Sequence, residues 1–291
     1  YVRGAAVPFP SGAAQAELFD TVLGVAIDRF NRLWTIDHGN HGLRPARIVA
    51  IDLNTNEVLR HQALSPDIAP AGSFLQDLQV SVDGGTIVIA DASFWRKSPA
   101  IIVYDVETGE ARRVLESHAS VSAENYMIRS QERDMEFLGG IAALRGGVDG
   151  IALDHEWLYF GALSGSSLFR VKLSDLRDKK LPPGQLANRV ERYSDKPLSD
   201  GLSIDLEGNI YITDVEHNSV FVVGESRELK TLVRSPDIRW PDALSFGPGG
   251  YLYIADSALP ELILQSREHI DANGPYRIFR FRPGFDGVPG Q

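Results

Sequence analysis

The chain alternates short apolar segments with turn residues, and one such pattern occurs five times. Each copy has a segment rich in small and apolar residues, a turn of Asp, Gly, Asn or Pro, and a second segment rich in Ile, Leu, Val and aromatic residues. The copies are LGVAIDRFNRLWTID (23–37), DLQVSVDGGTIVIAD (77–91), DGIALDHEWLYFGA (149–162), DGLSIDLEGNIYITD (200–214) and DALSFGPGGYLYIAD (242–256). Alternating apolar and polar positions around turn residues predict a β-hairpin in each copy.

A second pair of strands follows in two of the copies. Segments 47–53 and 58–61 flank one turn, and segments 100–106 and 112–115 flank another. A repeat of several tens of residues with four strands is typical of the blades of a β-propeller, so the sequence predicts an all-β propeller. The widest spacing lies before the third copy, where the polar segment 116–147 is predicted to be an insertion between blades, either an extra hairpin or a loop over one face.

Length and composition favour a single domain over residues 1–291. Hydrophobic residues make up 43% of the chain, and no linker-like segment divides it. The absence of Cys excludes disulfides, thiolate metal ligands and a Cys nucleophile. A formal net charge of -10 without a Lys/Arg cluster argues against a nucleic-acid partner, and it suits either a cationic ligand or solubility alone. No apolar run reaches membrane-spanning length.

Six segments, which together span nearly the whole chain, resemble one known family. They are LGVAIDRFNRLWTIDHGN (23–40), SFLQDLQV (73–80), IIVYDVETGEARRVL (101–115), GVDGIAL (147–153), LSDGLSIDLEGNIYITDVEHNSV (198–220) and WPDALSFGPGGYLYIADS (240–257). They resemble the major royal jelly and Yellow protein family in its short bacterial form. The resemblance implies a six-bladed β-propeller that is secreted or periplasmic and has a small-molecule pocket at one end of the central channel.

The N-terminal region departs from this family. Family members have a further inner hairpin ahead of the segment that reads YVRGAAVPFP here, whereas five inner hairpins are visible in this sequence. We therefore expect a chain trimmed at its N-terminus, with Tyr1 to Pro8 resembling the outer part of an incomplete first blade. A true five-bladed ring is the alternative. An open gap would leave two sheet faces and an edge uncovered unless another chain or segment fills it.

One repeated position holds acidic residues. Equivalent positions in a propeller lie at the same height around the axis, and the position of Leu23 in the first copy is occupied in the other four by Asp77, Asp149, Asp200 and Asp242. Four carboxylates at one end of a channel must be compensated by a cation, by Arg or backbone N–H donors, or by protons bound at raised pKa values. An oxygen-rich site without sulfur favours calcium or magnesium. The alternative is that each Asp is a strut that accepts backbone N–H bonds from the neighbouring blade.

A second, more remote resemblance also bears on this position. The pairs Asp149-Gly150 and Asp200-Gly201 are similar to the gluconolactonase and senescence-marker-protein group, in which a divalent ion polarises a lactone carbonyl. The Glu that opens the metal site in that group has no counterpart in this sequence.

A second repeated position ends the second strand of each hairpin and holds Asp37, Asp91, Ala162, Asp214 and Asp256. These Asp residues are predicted to cap turns. The loops after them differ from copy to copy, as the walls of a pocket require. The candidate ligand-binding residues are His38, Phe94, Trp95, Ser164, His217 and Trp240. Phe94 and Trp95 are predicted to form an aromatic wall for a ring-bearing or cationic ligand, unless they only pack the insertion.

Three functions are compatible with the sequence. The preferred one is an exported protein that binds a small molecule at the blade-end loops, with an ion or ordered water in the Asp ring. The second is an enzyme, either a metal-dependent lactonase or a tautomerase of the dopachrome type, in which Asp200 or Asp149 is the general base or His217 or His38 transfers the proton. The third is a purely structural or interaction propeller. The sequence does not indicate an oligomeric state.

Overall fold

The computed structural model describes residues 7–137, 140 and 142–291. Most of the expectation for Tyr1 to Pro8 therefore lies outside the described residues. Strands account for 41% of the structure and helices for 11%, and the predicted β-propeller is confirmed, with five blades detected. Among the described residues, no helix has the length and apolar character needed to cross a membrane.

Five antiparallel sheets, I to V, follow one another along the chain, and in each of them strand order in the sheet is the order in the sequence. Sheet I contains β1 (Val22–Ile27), β2 (Arg32–Asp37), β3 (Arg47–Asp52) and β4 (Val58–Ala63). Sheet II contains β5 (Leu75–Val80), β6 (Thr86–Asp91), β7 (Ala100–Asp105) and β8 (Ala111–Val114). The insertion contains two short ladders, β9 (Arg129–Ser130) with β10 (Arg133–Asp134) and β11 (Glu136–Phe137) with β12 (Ala142–Ala143).

Sheet III contains β13 (Val148–Leu153), β14 (Trp157–Ala162), β15 (Ser167–Lys172) and β16 (Glu191–Asp195). Sheet IV contains β17 (Leu202–Ile204), β18 (Ile210–Asp214), β19 (Ser219–Val223) and β20 (Leu229–Arg234). Sheet V contains β21 (Pro241–Gly247), β22 (Tyr251–Asp256) and β23 (Arg277–Phe281). The helices of the described residues are short: α1 (Gly12–Leu18), α2 (Gly39–Gly42), α3 (Leu173–Arg177), α4 (Pro183–Ala187) and α5 (Arg267–Ala272), with a 3-10 turn at Leu259–Glu261.

The first strands of consecutive sheets contact one another, so these strands line the axis. Buried apolar side chains fill the space between each consecutive pair of sheets, from I and II to IV and V. Trp34 and Ile87, for example, are buried between sheets I and II, and Tyr211 and Phe246 between sheets IV and V. Burial of apolar faces between stacked sheets is the main stabilising contribution expected for this architecture.

The hairpin turns at one end are fixed by buried carboxylates. Asp205 accepts the backbone N–H groups of Glu207 and Asn209, both at 2.9 Å, and the Tyr211 hydroxyl at 2.8 Å. Asp28 accepts the Trp34 indole N–H at 2.9 Å in sheet I. Each Asp thus accepts hydrogen bonds from its turn and from the hydroxyl or indole N–H of an aromatic side chain on the second strand. This explains why an Asp, a turn and an aromatic-rich strand recur in that order.

Sheets V and I are not packed together in the same way. Residues 290–291 run between them: the Gly290 N–H donates to the Phe246 carbonyl at 2.7 Å, and the Gly290 carbonyl accepts the Ile27 N–H at 2.9 Å. A Cβ on residue 290 would lie 2.6 Å from the Ile27 Cβ, so glycine permits this approach. No buried apolar cluster joins sheets V and I within the described part of the chain. We call the space between β1 and sheet V the wedge.

The insertion covers one end of the axis. Its residues Ile128, Met135 and Leu144 pack in one buried cluster with Leu198 and Trp240 of the blade loops. Glu124 accepts hydrogen bonds from Ser166, and Arg133 donates to the Pro260 carbonyl at 2.6 Å. The segment predicted to be an insertion thus packs over the blade loops at this end and is anchored to several blades.

Candidate functional site

Four sheets have a register shift where the first strand begins. In sheet III, Val148 pairs with Ala162 and Ile151 with Phe160, so Asp149 and Gly150 form a β-bulge. The corresponding shifts in sheets I, II and V include Leu23, Asp77 and Asp242. A bulge turns the side chain out of the regular pleat. The predicted acidic position therefore lies in a bulge in sheets II, III and V. We call Asp77, Asp149, Asp200 and Asp242 the carboxylate ring.

Contacts to the next blade hold part of the ring. Asp77 accepts the N–H of Ile151 in sheet III at 3.2 Å as well as that of Leu78 at 2.7 Å. Asp200 accepts the indole N–H of Trp240 at 2.6 Å. The backbone strut is thus observed for Asp77, whereas Asp200 contacts the next blade through an indole N–H. Asp149 and Asp200 are buried, whereas Asp77 and Asp242 are partly exposed.

Burial is the largest cause that raises the pKa of every ring carboxyl. It raises the pKa of Asp77 to about 7, although the two N–H bonds favour the ionised form. The pKa values of Asp149 and Asp200 are raised well above the ordinary range by burial and then by neighbouring ring carboxylates. Burial also raises the pKa of Asp242. The ring therefore shares bound protons near neutral pH instead of carrying four full charges.

A buried lysine supplies positive charge beside the ring. Lys196 is 5% exposed, and its Nζ donates to the Pro197 carbonyl at 2.9 Å. Burial lowers the pKa of Lys196 to about 7, against the attraction of Glu124, Asp149 and Asp200, which favours the charged form. A Cβ on residue 161 would lie 2.5 Å from the Lys196 Cε, so Gly161 makes room for the lysine.

The ring does not have the geometry of a metal site. Over residues 7–137, 140 and 142–291, no three His, Asp or Glu side chains converge closely enough to share an ion. Calcium requires six to eight oxygen ligands. The four carboxylates are hard oxygen donors of the kind that calcium and magnesium prefer, but in the described part of the chain they do not converge on a common point.

A cavity of about 470 Å³ adjoins the ring. All four ring residues line it, together with apolar side chains of β1 and sheet V that include Leu23, Val25, Leu244 and Ile278. Val25 is 57% exposed and Ile278 is 65% exposed, so the cavity opens through the wedge. We call it the axial cavity. An acidic end with apolar walls can hold a ligand that has one positive group and an apolar body.

The second repeated position caps turns, as predicted. Asp37 accepts the N–H groups of Asp20 and Thr21, and Asp91 accepts those of Phe74 and Ser93. Asp214 and Asp256 accept N–H groups in the same way. These carboxylates thus satisfy backbone donors in the loops at the ring end.

The predicted pocket residues are not brought together. Ser164 and Trp240 are fully buried, and the Ser164 hydroxyl donates to the Leu144 carbonyl of the insertion at 3.4 Å. His217 is 60% exposed in its side chain, and its Nδ1 lies 2.9 Å from Asp214 Oδ2. None of the six candidates lines the axial cavity. The insertion occupies the place where the sequence predicts an open mouth.

His38 and the aromatic wall form a separate group. His38 is 4% exposed, and its Nδ1 accepts the N–H of His41 at 2.8 Å. Burial lowers the pKa of His38 to about 4 and also lowers the pKa of His41, so both rings are neutral at pH 7. Phe74 packs against both imidazoles, and His41 in turn faces Trp95.

Several residues of these sites are absent from the sequence-based prediction. Lys196 lies four residues before Asp200, and this proximity to an acidic repeat position was its only available signal. His41 lies in HGNHG, where glycines on both sides of Asn-His indicate unusual backbone geometry. Nothing in the local sequence indicates Glu124 or Phe74, because their roles depend on contacts between distant segments.

The fold and the carboxylate ring define a β-propeller with an acidic axial cavity. The family model described as major royal jelly protein matches residues 20–278, so the chain belongs to the major royal jelly protein family. No curated protein matches the chain.

Solved structures show the same architecture at low identity. A luciferin-regenerating enzyme is 12% identical with a TM-score of 0.61, over 93% of this chain and 81% of that one. A gluconolactonase from Xanthomonas campestris is 17% identical with a TM-score of 0.50, over 80% of this chain and 68% of that one. A nidogen/laminin complex gives 14% identity and a TM-score of 0.54, over 93% and 80%. At these identities the similarities establish the fold alone.

Proposed function

We propose that this protein binds a small organic cation with an apolar body in the axial cavity. The observation that carries the proposal is that all four ring carboxyls and the exposed apolar residues of the wedge line the same space. A ligand ammonium would interact with poorly solvated carboxylates, and its apolar part would cover Val25 and Ile278. The net charge of -10 favours approach of a cation.

Binding should depend on pH in a defined direction. Because the pKa of Asp77 is about 7, this carboxyl becomes ionised as pH rises through neutrality. A cation favours the ionised form, so affinity should increase from pH 6 to pH 8 and binding should release protons. Calorimetry in two buffers with different ionisation enthalpies measures that release directly.

The test uses phenethylamine as the probe, with 2-phenylethanol as its uncharged analogue. We expect saturable binding of the amine, weak or no binding of the alcohol, and a loss of about tenfold or more in Asp77→Asn. Asp67→Asn is the matched control, because Asp67 is exposed and does not line the cavity. Equal affinity of the amine for both variants, or equal binding of amine and alcohol, would reject the proposal.

Acid–base catalysis is the second candidate. It is favoured by the pKa of about 7 at Asp77, since a general acid or base is most effective when its pKa is near the working pH. A tautomerase of the dopachrome type would need only such a proton-transfer group. Turnover of dopachrome that is abolished in Asp77→Asn and resistant to chelator would support it, and turnover that persists in this variant would exclude Asp77 as the catalytic group.

The metal-dependent lactonase remains an alternative that the ring geometry does not favour. Its assay is lactone hydrolysis with and without chelator. Export of the protein stays a prediction that rests on the family resemblance, and fractionation of the native cells would test it.

A further inference from the structure

A row of aromatic rings lies on the loops that follow β2 and β6, away from the axial cavity. His41 stacks on Phe74 with ring centroids 4.6 Å apart and an interplanar angle of 20°. Trp95 meets His41 edge-on at 6.2 Å and Phe94 at 4.8 Å. Trp95 is 61% exposed, so the row ends in an open aromatic face. His38, at 4.9 Å from Phe74, supports it from the buried side.

A strained backbone holds His41 in this row. All four residues of α2 have positive φ, with values of 51° at Asn40 and 57° at His41 between two glycines. A left-handed conformation costs about 1–2 kcal/mol for each non-glycine residue. Hydrogen bonds from the Gly42 N–H to the His38 carbonyl and from the Arg44 N–H to the Gly39 carbonyl maintain it. Strain of this kind is concentrated at functional positions.

Two cationic residues at the row have no carboxylate partner among the described residues: Lys97, which lies over the Phe94 ring, and Arg145, whose backbone carbonyl Lys97 contacts. Arg96 is paired with Glu116 at 2.6 Å, and Arg113 with Asp91 at 2.7 Å. The Lys97 Nζ lies 4.6 Å from the centre of the Phe94 ring and donates to the backbone carbonyl of Arg145 at 3.1 Å. Among the described residues, no carboxylate lies within ion-pair distance of Lys97 or Arg145.

Two further observations concern the polar atoms and charges beside the row. Arg145 Nε is buried without a hydrogen-bond partner among the described residues, and so is His41 Nδ1. Burial lowers the pKa of Lys97, and repulsion by Arg145 lowers it further. An anion would satisfy the arginine and relieve the repulsion between the two cations.

We propose that a planar aromatic carboxylate binds at this row, with its ring on Trp95 and its carboxylate at Lys97 and Arg145. The sequence suggests a ring-bearing or cationic ligand for the wall of Phe94 and Trp95, and the two unpaired cations select the ring-bearing anion. This site is independent of the axial cavity and has the opposite charge preference.

The probe is 4-hydroxybenzoate, titrated by calorimetry and by quenching of tryptophan fluorescence. Lys97→Gln, Arg145→Gln and Trp95→Ala should each weaken binding about tenfold or more. Lys172→Gln is the matched control, because Lys172 lies over the Trp157 ring on sheet III but is paired with Glu156. Cyclohexanecarboxylate, which lacks the aromatic face, should bind more weakly, and benzylamine should not compete.

The outcomes separate this site from the axial cavity. Asp77→Asn should leave binding of 4-hydroxybenzoate unchanged, and Lys97→Gln should leave binding of phenethylamine unchanged. If Arg145→Gln does not fold, Lys97→Glu at the exposed position provides the charge reversal. Unchanged affinity in Lys97→Glu and Trp95→Ala, or no saturable binding of 4-hydroxybenzoate by the native chain, would overturn the proposal.

Discussion

Asp77 and Lys196 show how burial changes the charge of an acidic ring at the level of single residues. Burial favours the neutral form of an acid and of a base, so the pKa of Asp77 is raised to about 7 while that of Lys196 is lowered to about 7. Both groups can therefore exchange protons near neutrality. The negative charge of the carboxylate ring is compensated by bound protons, by N–H donors and by Lys196.

The contribution of Asp77 to the free energy of unfolding should fall as pH rises from about 4 to about 7, while His38, whose pKa is lowered to about 4, contributes in the opposite direction. Over this interval the folded state holds the Asp77 proton, whereas the unfolded state releases it. The stabilisation by this proton is therefore complete below the pKa of Asp77 in the unfolded state and is lost as pH rises through its pKa in the folded state. The slope for one such proton is about 1.4 kcal/mol per pH unit. The contribution of Lys196 to the free energy of unfolding rises with pH, mainly above pH 7, because the pKa of Lys196 is depressed in the folded state.

Asp77→Asn isolates this effect. Urea unfolding at pH 5 and pH 7.5 should show that the native chain loses more stability between the two pH values than the variant does. Asp67→Asn should follow the native chain. Parallel losses in the native chain and Asp77→Asn would mean that Asp77 titrates normally and that the ring is more hydrated than its burial indicates.

At the scale of strands, the inner edges approach one another through glycine. A Cβ on residue 150 would lie 2.4 Å from the Asp200 carbonyl oxygen, and a Cβ on residue 201 would lie 2.3 Å from that of Asp242. Real contacts of this kind are not shorter than about 3 Å, so each glycine sets how closely the first strand of a sheet meets the next. The pairs Asp149-Gly150 and Asp200-Gly201 therefore combine a ring carboxyl with the close approach that positions it.

Gly201→Ala should destabilise the protein by about 2–3 kcal/mol, because the new methyl group must displace the backbone of β21. It should also weaken phenethylamine binding, since Asp242 would move. Gly184→Ala is the matched control: it lies in α4 with open space around its Cα, and the change should be neutral or stabilising by up to about 1 kcal/mol. Chemical denaturation of both variants decides the matter, and equal stability would contradict the packing argument.

The sequence predicts these elements well because alternation and turn residues are local properties. The hairpin from Leu23 to Asp37 and the caps at Asp37 and Asp91 follow from a few neighbouring residues. The bulge at Asp149 does not, because a register shift is defined by the partner strand. The sequence predicts that Trp240 binds ligand, but Trp240 is buried against the insertion, and this contact between distant segments is visible only in the three-dimensional packing.

At the scale of the whole molecule, the wedge is the feature that distinguishes sheets V and I from the other neighbouring sheets. Val25, Leu23 and Ile278 are 57%, 43% and 65% exposed, although they belong to strands whose counterparts elsewhere are buried. Within residues 7–137, 140 and 142–291, sheet V ends at β23, whereas the other four sheets have a fourth strand. An exposed apolar face of this kind marks a place where a ligand or a partner binds.

An uncharged apolar dye should therefore bind in the wedge. N-phenyl-1-naphthylamine is suitable because it carries no charge that would direct it to the ring or to Lys97. Its fluorescence should rise with the native chain, and the rise should be smaller for Val25→Lys and Ile278→Lys, which place a cation on the apolar walls. Leu206→Lys is the matched control, since Leu206 is 66% exposed but does not line the axial cavity.

Competition connects the wedge to the proposed function. Phenethylamine should displace the dye from the native chain, because the amine and the dye share the walls formed by Val25 and Ile278. Displacement should fail in Asp77→Asn at amine concentrations that suffice for the native chain. If the dye binds equally to the native chain and both wedge variants, the wedge is closed in solution, and the axial cavity must then be reached from another side.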